Sequence, residues 1–444
     1  MTHNIHQQIG RIAVPMILAN ISVPLLGIVD TAVVGHLDSP HYIGAVSVGA
    51  SIFGIVFWGF GFLRMSTTGL TAQALGADDN NEIRAILLRA TLVALVIALL
   101  LIGLQWFISS IAFRLIHATP LVESHALNYF TIRIYSAPAT LINYAILGWF
   151  LGMQNARFPL LLVLVANLIN MILDYILVVH YGFGTGGVAF ASVVAEYVQL
   201  GLGAGLLKYT LNRHPGQWHL HDVLDRVQIR RTLAINVDIF IRTLCLMFAL
   251  AYLVARGAVF GDIILAANAI LVNFQLMMAH GLDGFAHSAE ALVGRAVGRR
   301  DKRLLVKTVQ ANMQWAFLGS LLFSLVYLLL GEQIIALMTG LPGVKDTAKE
   351  YLPWLIILPI ICVWAFVLDG AFIGALWAKS MRNIMLVATF LVFVPASYLF
   401  SAWANHGLWL AFVLFMLTRS MLMGWEYRRN THRQDKLWAG SEAH

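Results

Sequence analysis

The sequence contains twelve apolar stretches, each about 20 residues long or more, which is the length of helix that crosses the hydrocarbon core of a bilayer. Hydrophobic residues make up 59% of the 444 positions and charged residues only 11%, which leaves no room for a sizeable soluble domain. The sequence therefore predicts an all-α polytopic membrane protein with twelve transmembrane helices. These lie near residues 12–35, 43–68, 90–111, 126–152, 158–180, 187–207, 232–255, 263–289, 308–330, 351–374, 383–402 and 406–427.

The basic residues are distributed unevenly between the two sides of these predicted spans. Of the 29 lysines and arginines, 21 fall in the loops of one side and four in the loops of the other. Because cytoplasmic loops are enriched in Lys and Arg, we expect both termini to be cytoplasmic. The basic residues are spread over separate loops, so the net charge of +7 does not indicate a nucleic-acid partner.

Two motifs recur at an offset of 222 residues, half the length of the chain. The pattern G-x-F-x-G-x-x-x-A followed by a basic residue occupies 148–157 and 370–379, and A-[LV]-G-x-x-D occupies 74–79 and 296–301. Each half holds six spans, an even number, so the two halves have the same orientation in the membrane. Transporters are often built from such repeats, with the substrate site near the midplane. The sequence predicts three parts: an amino-terminal lobe (1–207), a cytoplasmic linker (208–231) and a carboxyl-terminal lobe (232–444).

The first span, 12–35, carries Pro15, Pro24 and a single carboxylate, Asp30. Proline removes a backbone donor and clashes with the preceding turn, so this helix can bend at two places. An ionisable residue inside a membrane is costly and usually faces a polar cavity or a partner. The combination predicts a helix that bends when Asp30 gains or loses a proton. The alternative is that Asp30 is a solvated acid at the end of the helix.

Three runs carry a resemblance to a known family: PMILANISVPLLGIVDTAVVGHLDSP, RMSTTGLTAQALGA and LGWFLGMQNAR. They resemble the multidrug and toxic compound extrusion (MATE) family, and within it the bacterial DNA-damage-inducible F (DinF) branch. The resemblance covers the whole chain. It implies two six-helix lobes around a central cleft, location in the bacterial inner membrane, and export of organic cations driven by an inward proton or sodium gradient. It also implies that the first helix bends at its early proline when its acid is protonated.

The resemblance also assigns positions in this sequence. The first-helix acid falls on Asp30 and the bending proline on Pro15, whereas the sequence alone would allow a bend at either Pro15 or Pro24. The polar pocket of the amino-terminal lobe falls on Asn143, Asn170 and Asp174, with a hydroxyl at Ser192.

The spacing of the fifth span supports this pocket independently. Asn167, Asn170 and Asp174 stand at i, i+3 and i+7, on one face of a helix, and polar faces of membrane helices point into the bundle. The alternative is that these groups only bond one another and hold helices together. Glu196, four residues after Ser192, belongs either to this proton- or cation-binding network or to the cavity wall.

The carboxyl-terminal lobe has a polar stripe on its eighth-span helix, formed by His280, Asp283, His287 and Glu290. A transition metal prefers such ligands, but one helix cannot surround an ion with residues strung along about 15 Å. We therefore expect that this stripe binds no metal and lines a water-filled cleft. Acids of this lobe bind cations in the sodium-coupled branch, but the correspondence with Asp238 and Asp369 is too loose to assign that role. The residues expected to line the substrate cleft are Tyr144, Asp283, His287 and Asp369.

No Walker loop, nucleophile elbow or metalloprotease signature occurs, so we expect a transporter that does not hydrolyse ATP, has no cofactor and is not an enzyme. We also expect it to be a monomer. Three interpretations remain: a proton- or sodium-coupled multidrug antiporter, a lipid or lipid-linked sugar flippase of the same superfamily, and an intramembrane enzyme. Proton coupling and cationic substrates are favoured because intramembrane acids outnumber intramembrane bases. The acids are Asp30, Asp174, Glu196, Asp238, Asp283, Glu290 and Asp369, and the bases are Arg64, Arg133, Arg242 and Arg419.

Overall fold

The computed structural model describes residues 4–34, 40–116 and 118–441, and the regular structure in these ranges is helical throughout. Within the first helix, the side chain of Asp30 lies outside the described residues. The first ten helices are α1 (Ile5–Val34), α2 (Pro40–Gly59), α3 (Phe62–Gly76), α4 (Asn80–Gly103), α5 (Gln105–Leu115), α6 (Pro120–Arg133), α7 (Ala137–Gly152), α8 (Arg157–Asp174), α9 (Gly184–Arg213) and α10 (Leu220–Val223).

The remaining helices are α11 (Arg226–Ala258), α12 (Asp262–Gly298), α13 (Lys302–Met338), α14 (Pro342–Gly374), α15 (Ala378–Leu386), α16 (Val394–Leu399) and α17 (Ala404–Ser441). Two compact units contain them. The amino-terminal unit is Leu18–Leu233, and the carboxyl-terminal unit is Ala234–His444 together with Met1–Ile17. The division therefore falls inside α1, two residues after Pro15. Helices α9 and α11 both extend into the predicted linker, 208–231, and leave residues 214–225 between them.

Within the described residues, twelve helical segments are long and apolar enough to cross a membrane, which confirms the predicted number and order of spans. Most segments extend beyond the predicted ends because the helices continue into polar residues. The third predicted span, 90–111, is divided: α4 ends at Gly103 and α5 begins at Gln105. Glycine is a poor helix former, which accounts for a break at this position.

The internal repeat is visible in the backbone. Asp79 and Asp301, 222 residues apart, each cap a helix by accepting a hydrogen bond from the backbone N–H three residues later, at 3.0 and 2.9 Å. The residue before each cap, Asp78 or Arg300, has a positive φ of 55° or 56°. The two copies of the motif thus adopt the same turn.

The glycines of the other motif have a packing role. A Cβ on Gly148 would lie 2.3 Å from the carbonyl oxygen of Arg64, and one on Gly370 would lie 2.2 Å from that of Ala286. Arg64 and Ala286 are themselves 222 residues apart. Each motif glycine therefore permits the same close helix approach, of α7 to α3 in one unit and of α14 to α12 in the other.

The outer surface of α13 carries a continuous apolar stripe. Leu318, Leu322, Leu325 and Leu329 are spaced by three or four residues, and each is at least half exposed. An exposed apolar stripe of this length on a helix is typical of contact with lipid. The chain is a multi-pass membrane protein.

Candidate functional site

A cavity of about 500 Å³ lies within the amino-terminal unit. Six helices line it, α1, α2, α6, α7, α8 and α9, and four of them contribute residues at i, i+3, i+4 and i+7, the positions that share one helical face. These positions are 50, 53, 54 and 57 on α2; 140, 143, 144 and 147 on α7; 163, 166, 167 and 170 on α8; and 192, 195, 196 and 199 on α9.

The lining combines aromatic rings with hydrogen-bonding groups, so it offers both flat apolar surfaces and polar contacts. The aromatic members are Phe53, Phe57, Trp58, Tyr129 and Tyr144, and the polar members are Arg133, Thr140, Asn143, Asn167, Asn170, Ser192, Glu196 and Gln199.

The amides of α8 connect this helix to its neighbours. Asn170 donates to the Ser192 hydroxyl of α9 at 3.1 Å, and Asn167 donates to the Ser22 hydroxyl of α1 at 2.9 Å. The face predicted from the spacing of the asparagines is thus hydrogen-bonded between helices and also faces the cavity. The two interpretations of these residues, a polar pocket and a helix-holding contact, both describe the observed geometry.

Glu196 is the one acidic residue among the described residues that line the cavity. Its Oε2 accepts a hydrogen bond from Asn143 Nδ2 at 3.1 Å, and the same amide nitrogen donates to the Glu196 backbone carbonyl at 3.0 Å. Its other oxygen, Oε1, lies 3.7 Å from Arg133 Nη2. Asn143 therefore holds one carboxylate oxygen and the backbone carbonyl of Glu196, and Arg133 of α6 approaches the other carboxylate oxygen.

The structure brings together five of the predicted residues, which all line this cavity: Tyr144, Asn143, Asn170, Ser192 and Glu196. Asp174 is fully buried one turn beyond Asn170, outside the described lining. The role of Asp30 stays a prediction because its side chain lies outside the described residues. Pro15 and Pro24 are both contained in α1.

Sequence reasoning did not assign a role to Arg133 or to the two rings beneath it. The Arg133 guanidinium carbon lies 5.9 Å from the centroid of Phe53 and 5.6 Å from that of Phe57. The sequence feature that could have drawn attention to Arg133 is its positive charge, because a basic residue within a membrane span requires a partner. The partner could not be identified from spacing, since it lies on a different helix.

In the carboxyl-terminal unit, Asp369 is buried between two arginines. Arg419 Nη2 donates to its Oδ2 at 2.7 Å, and Arg242 Nη2 donates to the same oxygen. All three side chains are nearly inaccessible. The charge of Asp369, which was expected in the substrate cleft, is thus already compensated within the unit.

The polar stripe on α12 has different environments along its length. His287 and Glu290 are buried and lie 3.3 Å apart, whereas Asp283 and His280 are only partly buried. His280 Nδ1 lies 2.6 Å from the Leu276 carbonyl oxygen, within its own helix. Asp238 on α11 pairs with Arg382 on α15 at 2.5 Å. Among the described residues, no group of three or more His, Cys, Asp or Glu side chains is arranged to hold a metal ion.

Comparison with known proteins places these features in a family. The sequence profile of the MatE family matches residues 15–176 and 239–399. The DNA damage-inducible protein F of Escherichia coli (strain K12) is 41% identical over 429 residues, covering 96% of this chain and 93% of that protein. A probable multidrug resistance protein NorM of Bacillus cereus (strain ATCC 14579) is 24% identical and covers 90% of each chain. The fold is similar to that of a crystal structure of MATE in the straight conformation, with a TM-score of 0.89, 19% identity and coverage of 98% of both chains.

Proposed function

Because this chain belongs to the MatE family, in the branch of the DNA damage-inducible protein F, we propose that it exports amphipathic, mostly cationic organic compounds in exchange for protons. The observation that carries the proposal is the cavity of the amino-terminal unit, where aromatic rings and a carboxylate face the same space of about 500 Å³. Aromatic faces attract organic cations, and a carboxylate adds charge complementarity.

The amide groups around the cavity support proton exchange. An amide can donate to an ionised carboxylate and can accept from a protonated one, so it accommodates both states of a titrating acid. Asn143 already donates to Glu196 at 3.1 Å, and Asn170 stands on the same face as the buried Asp174. We assign Asp30 as the coupling acid and Asp174 as a second acid in the proton pathway.

The helix that carries Asp30 also supports coupling between protonation and shape. Pro15 and Pro24 each leave a carbonyl group one turn earlier without its helical donor, so bending costs less at these positions. The division between the two units falls two residues after Pro15. A bend at Pro15 would change the direction of the segment of α1 that carries Asp30.

The proposed setting is the bacterial inner membrane, with both termini cytoplasmic. A single chain contains both copies of the repeat, so we propose that a monomer is sufficient for transport. In this proposal the protein moves its substrate across the membrane, driven by an ion gradient, and does not change the substrate chemically.

The test is dye efflux from proteoliposomes that contain the purified chain, with a proton gradient and a sodium gradient imposed separately. Efflux driven by the proton gradient alone supports the proposal. Efflux that requires only sodium would identify a sodium-coupled multidrug antiporter. Failure to move any cationic dye, combined with movement of a fluorescent phospholipid or lipid-linked sugar, would identify a flippase and overturn the proposal.

A further inference from the structure

Arg133 occupies a distinctive position in the cavity of the amino-terminal unit. Its guanidinium group lies over Phe53 and Phe57, with centroid distances of 5.9 and 5.6 Å. Its Nη2 is 3.7 Å from Glu196 Oε1. The group is thus enclosed by two aromatic rings of α2 and a carboxylate of α9.

These surroundings are the ones that an organic cation requires. A cation within about 6 Å of a ring centroid is attracted by the negative face of the ring. A carboxylate beside it adds an attraction that is strong where water is scarce. The side chain of Arg133 therefore fills a place that is chemically suited to a cationic ligand.

The contact between Arg133 and Glu196 is loose. The distance of 3.7 Å exceeds the range of about 2.7–3.2 Å for a hydrogen bond of this kind, and the two side chains are 13% and 22% exposed. Arg133 also donates to the Ser136 hydroxyl, on its own segment of chain. Glu196, in contrast, is held by Asn143 at 3.1 Å. The ion pair with Glu196 therefore does not fix Arg133 in place, whereas Asn143 holds the carboxylate.

We propose that Glu196, Phe53 and Phe57 form a subsite for the cationic group of a substrate, and that Arg133 is a tethered cation that occupies this subsite until a substrate displaces it. The inference rests on the proposed function, since it identifies where the charge of an exported cation is bound. Arg133 competes with the substrate and so lowers affinity. It also keeps the carboxylate compensated when no substrate is present.

Two ions of nearly the same size and shape, tetraphenylphosphonium (a cation) and tetraphenylborate (an anion), test this directly. Their binding is measured by equilibrium dialysis with the full chain in nanodiscs, against nanodiscs without protein. Removal of a competing positive charge in Arg133→Gln is expected to raise affinity for the cation by about tenfold and to lower affinity for the anion. Glu196→Gln is expected to produce the opposite change.

Two further variants separate charge from structure. Arg133→Lys retains the positive charge and should keep the cation-to-anion affinity ratio near that of the parent. Arg157→Gln removes an exposed charge at the start of α8, away from the cavity lining, and should leave the ratio unchanged. A purely structural role for Arg133 or Glu196 would lower the affinity for both ions together.

The outcomes distinguish the inference from the function on which it rests. If the parent protein binds the cation but Arg133→Gln leaves the ratio unchanged, or shifts both affinities in one direction, the subsite is overturned and the proposed function stands. If neither the parent nor Arg133→Gln binds the cation, and dye efflux is also absent, both are overturned.

Discussion

Gly148 and Gly370 each permit a close helix approach that any side chain would obstruct. The nearest atoms to an added Cβ, at 2.3 and 2.2 Å, belong to the backbone, which cannot move aside as a flexible side chain can. We expect Gly148→Ala and Gly370→Ala each to destabilise the protein by about 1–3 kcal/mol, the usual cost of overpacking. The measurement is the thermal unfolding midpoint in detergent.

The matched control for these variants is Gly201→Ala on α9, where nothing lies within 4 Å of an added Cβ. Because alanine is the better helix former, this variant should unfold at the parental temperature or slightly above it. Equal midpoints for Gly148→Ala and Gly201→Ala would show that the close approach at Gly148 does not limit stability.

Asp30 is the residue on which proton coupling depends in the proposed function. Asp30→Asn keeps the shape of the protonated acid but cannot change charge, so we expect efflux to fall to the level of protein-free vesicles while insertion is retained. Asp174→Asn should behave similarly. The control is Asp346→Asn, which alters an exposed acid on α14. Parental efflux by well-expressed Asp30→Asn would remove Asp30 from the mechanism.

At the scale of single elements, α1 contains both Pro15 and the boundary between the two compact units, which falls after Ile17. Pro15→Ala restores a backbone hydrogen bond and stiffens α1 without changing the lining of the described cavity. We therefore expect transport to decrease severalfold more than binding affinity, with a smaller effect of the same kind for Pro24→Ala. Both quantities are measured on the same purified variants. Unchanged transport in the double variant would exclude bending of α1 as the coupling step.

The segment after α9 is held against α4 by buried arginines. Arg84 Nη2 donates to the carbonyl groups of Leu211, in the last turn of α9, and His214, directly after the helix, at 2.7 and 3.0 Å. The Arg84 guanidinium also lies 5.4 Å from the Trp218 ring centroid. Arg89 donates to the Asp222 carbonyl at 3.3 Å. Residues 211–222 are therefore anchored to the amino-terminal unit despite their polar composition.

Arg84→Gln should release this segment. Hydrogen bonds to charged groups contribute about 1.5–3 kcal/mol each, so local opening should become at least roughly tenfold more frequent. Limited trypsin cleavage at Arg213, followed by mass spectrometry, measures this opening. Arg230→Gln, which alters an exposed arginine of α11, is the control. Parental cleavage rates in Arg84→Gln would show that Arg84 does not hold the segment.

For the whole molecule, the distribution of basic residues predicts the orientation in the membrane. With 21 of 29 basic residues in the loops of one side, we expect reporters at either terminus to be cytoplasmic. Green fluorescent protein fused to the carboxyl terminus should fluoresce, and alkaline phosphatase fused there should be inactive. Fusion after Arg256 should reverse this pattern. A periplasmic carboxyl terminus would contradict the predicted topology.

The sequence alone determined the number of spans and the internal repeat, because both depend on features carried locally by the chain. The length of an apolar run decides whether a helix can cross the membrane, and the repeat is recognised from the residue types and spacing around Gly148 and Gly370. The face shared by Asn167 and Asn170 was predictable for the same reason, since helical geometry fixes the relative directions of side chains on one helix.

Only the tertiary structure decided which faces meet. Helical periodicity gives the direction of a side chain relative to its own axis and says nothing about the neighbouring helix. The contact of Arg133 with Glu196 and Phe53 requires α2, α6 and α9 to pack together, and no spacing in the sequence contains that information. Asp369 shows the same limit: its carboxylate bonds to Arg242, 127 residues away, and to Arg419, 50 residues away, and neither partner could be identified from the sequence. A buried charge takes whichever partner packing brings within reach.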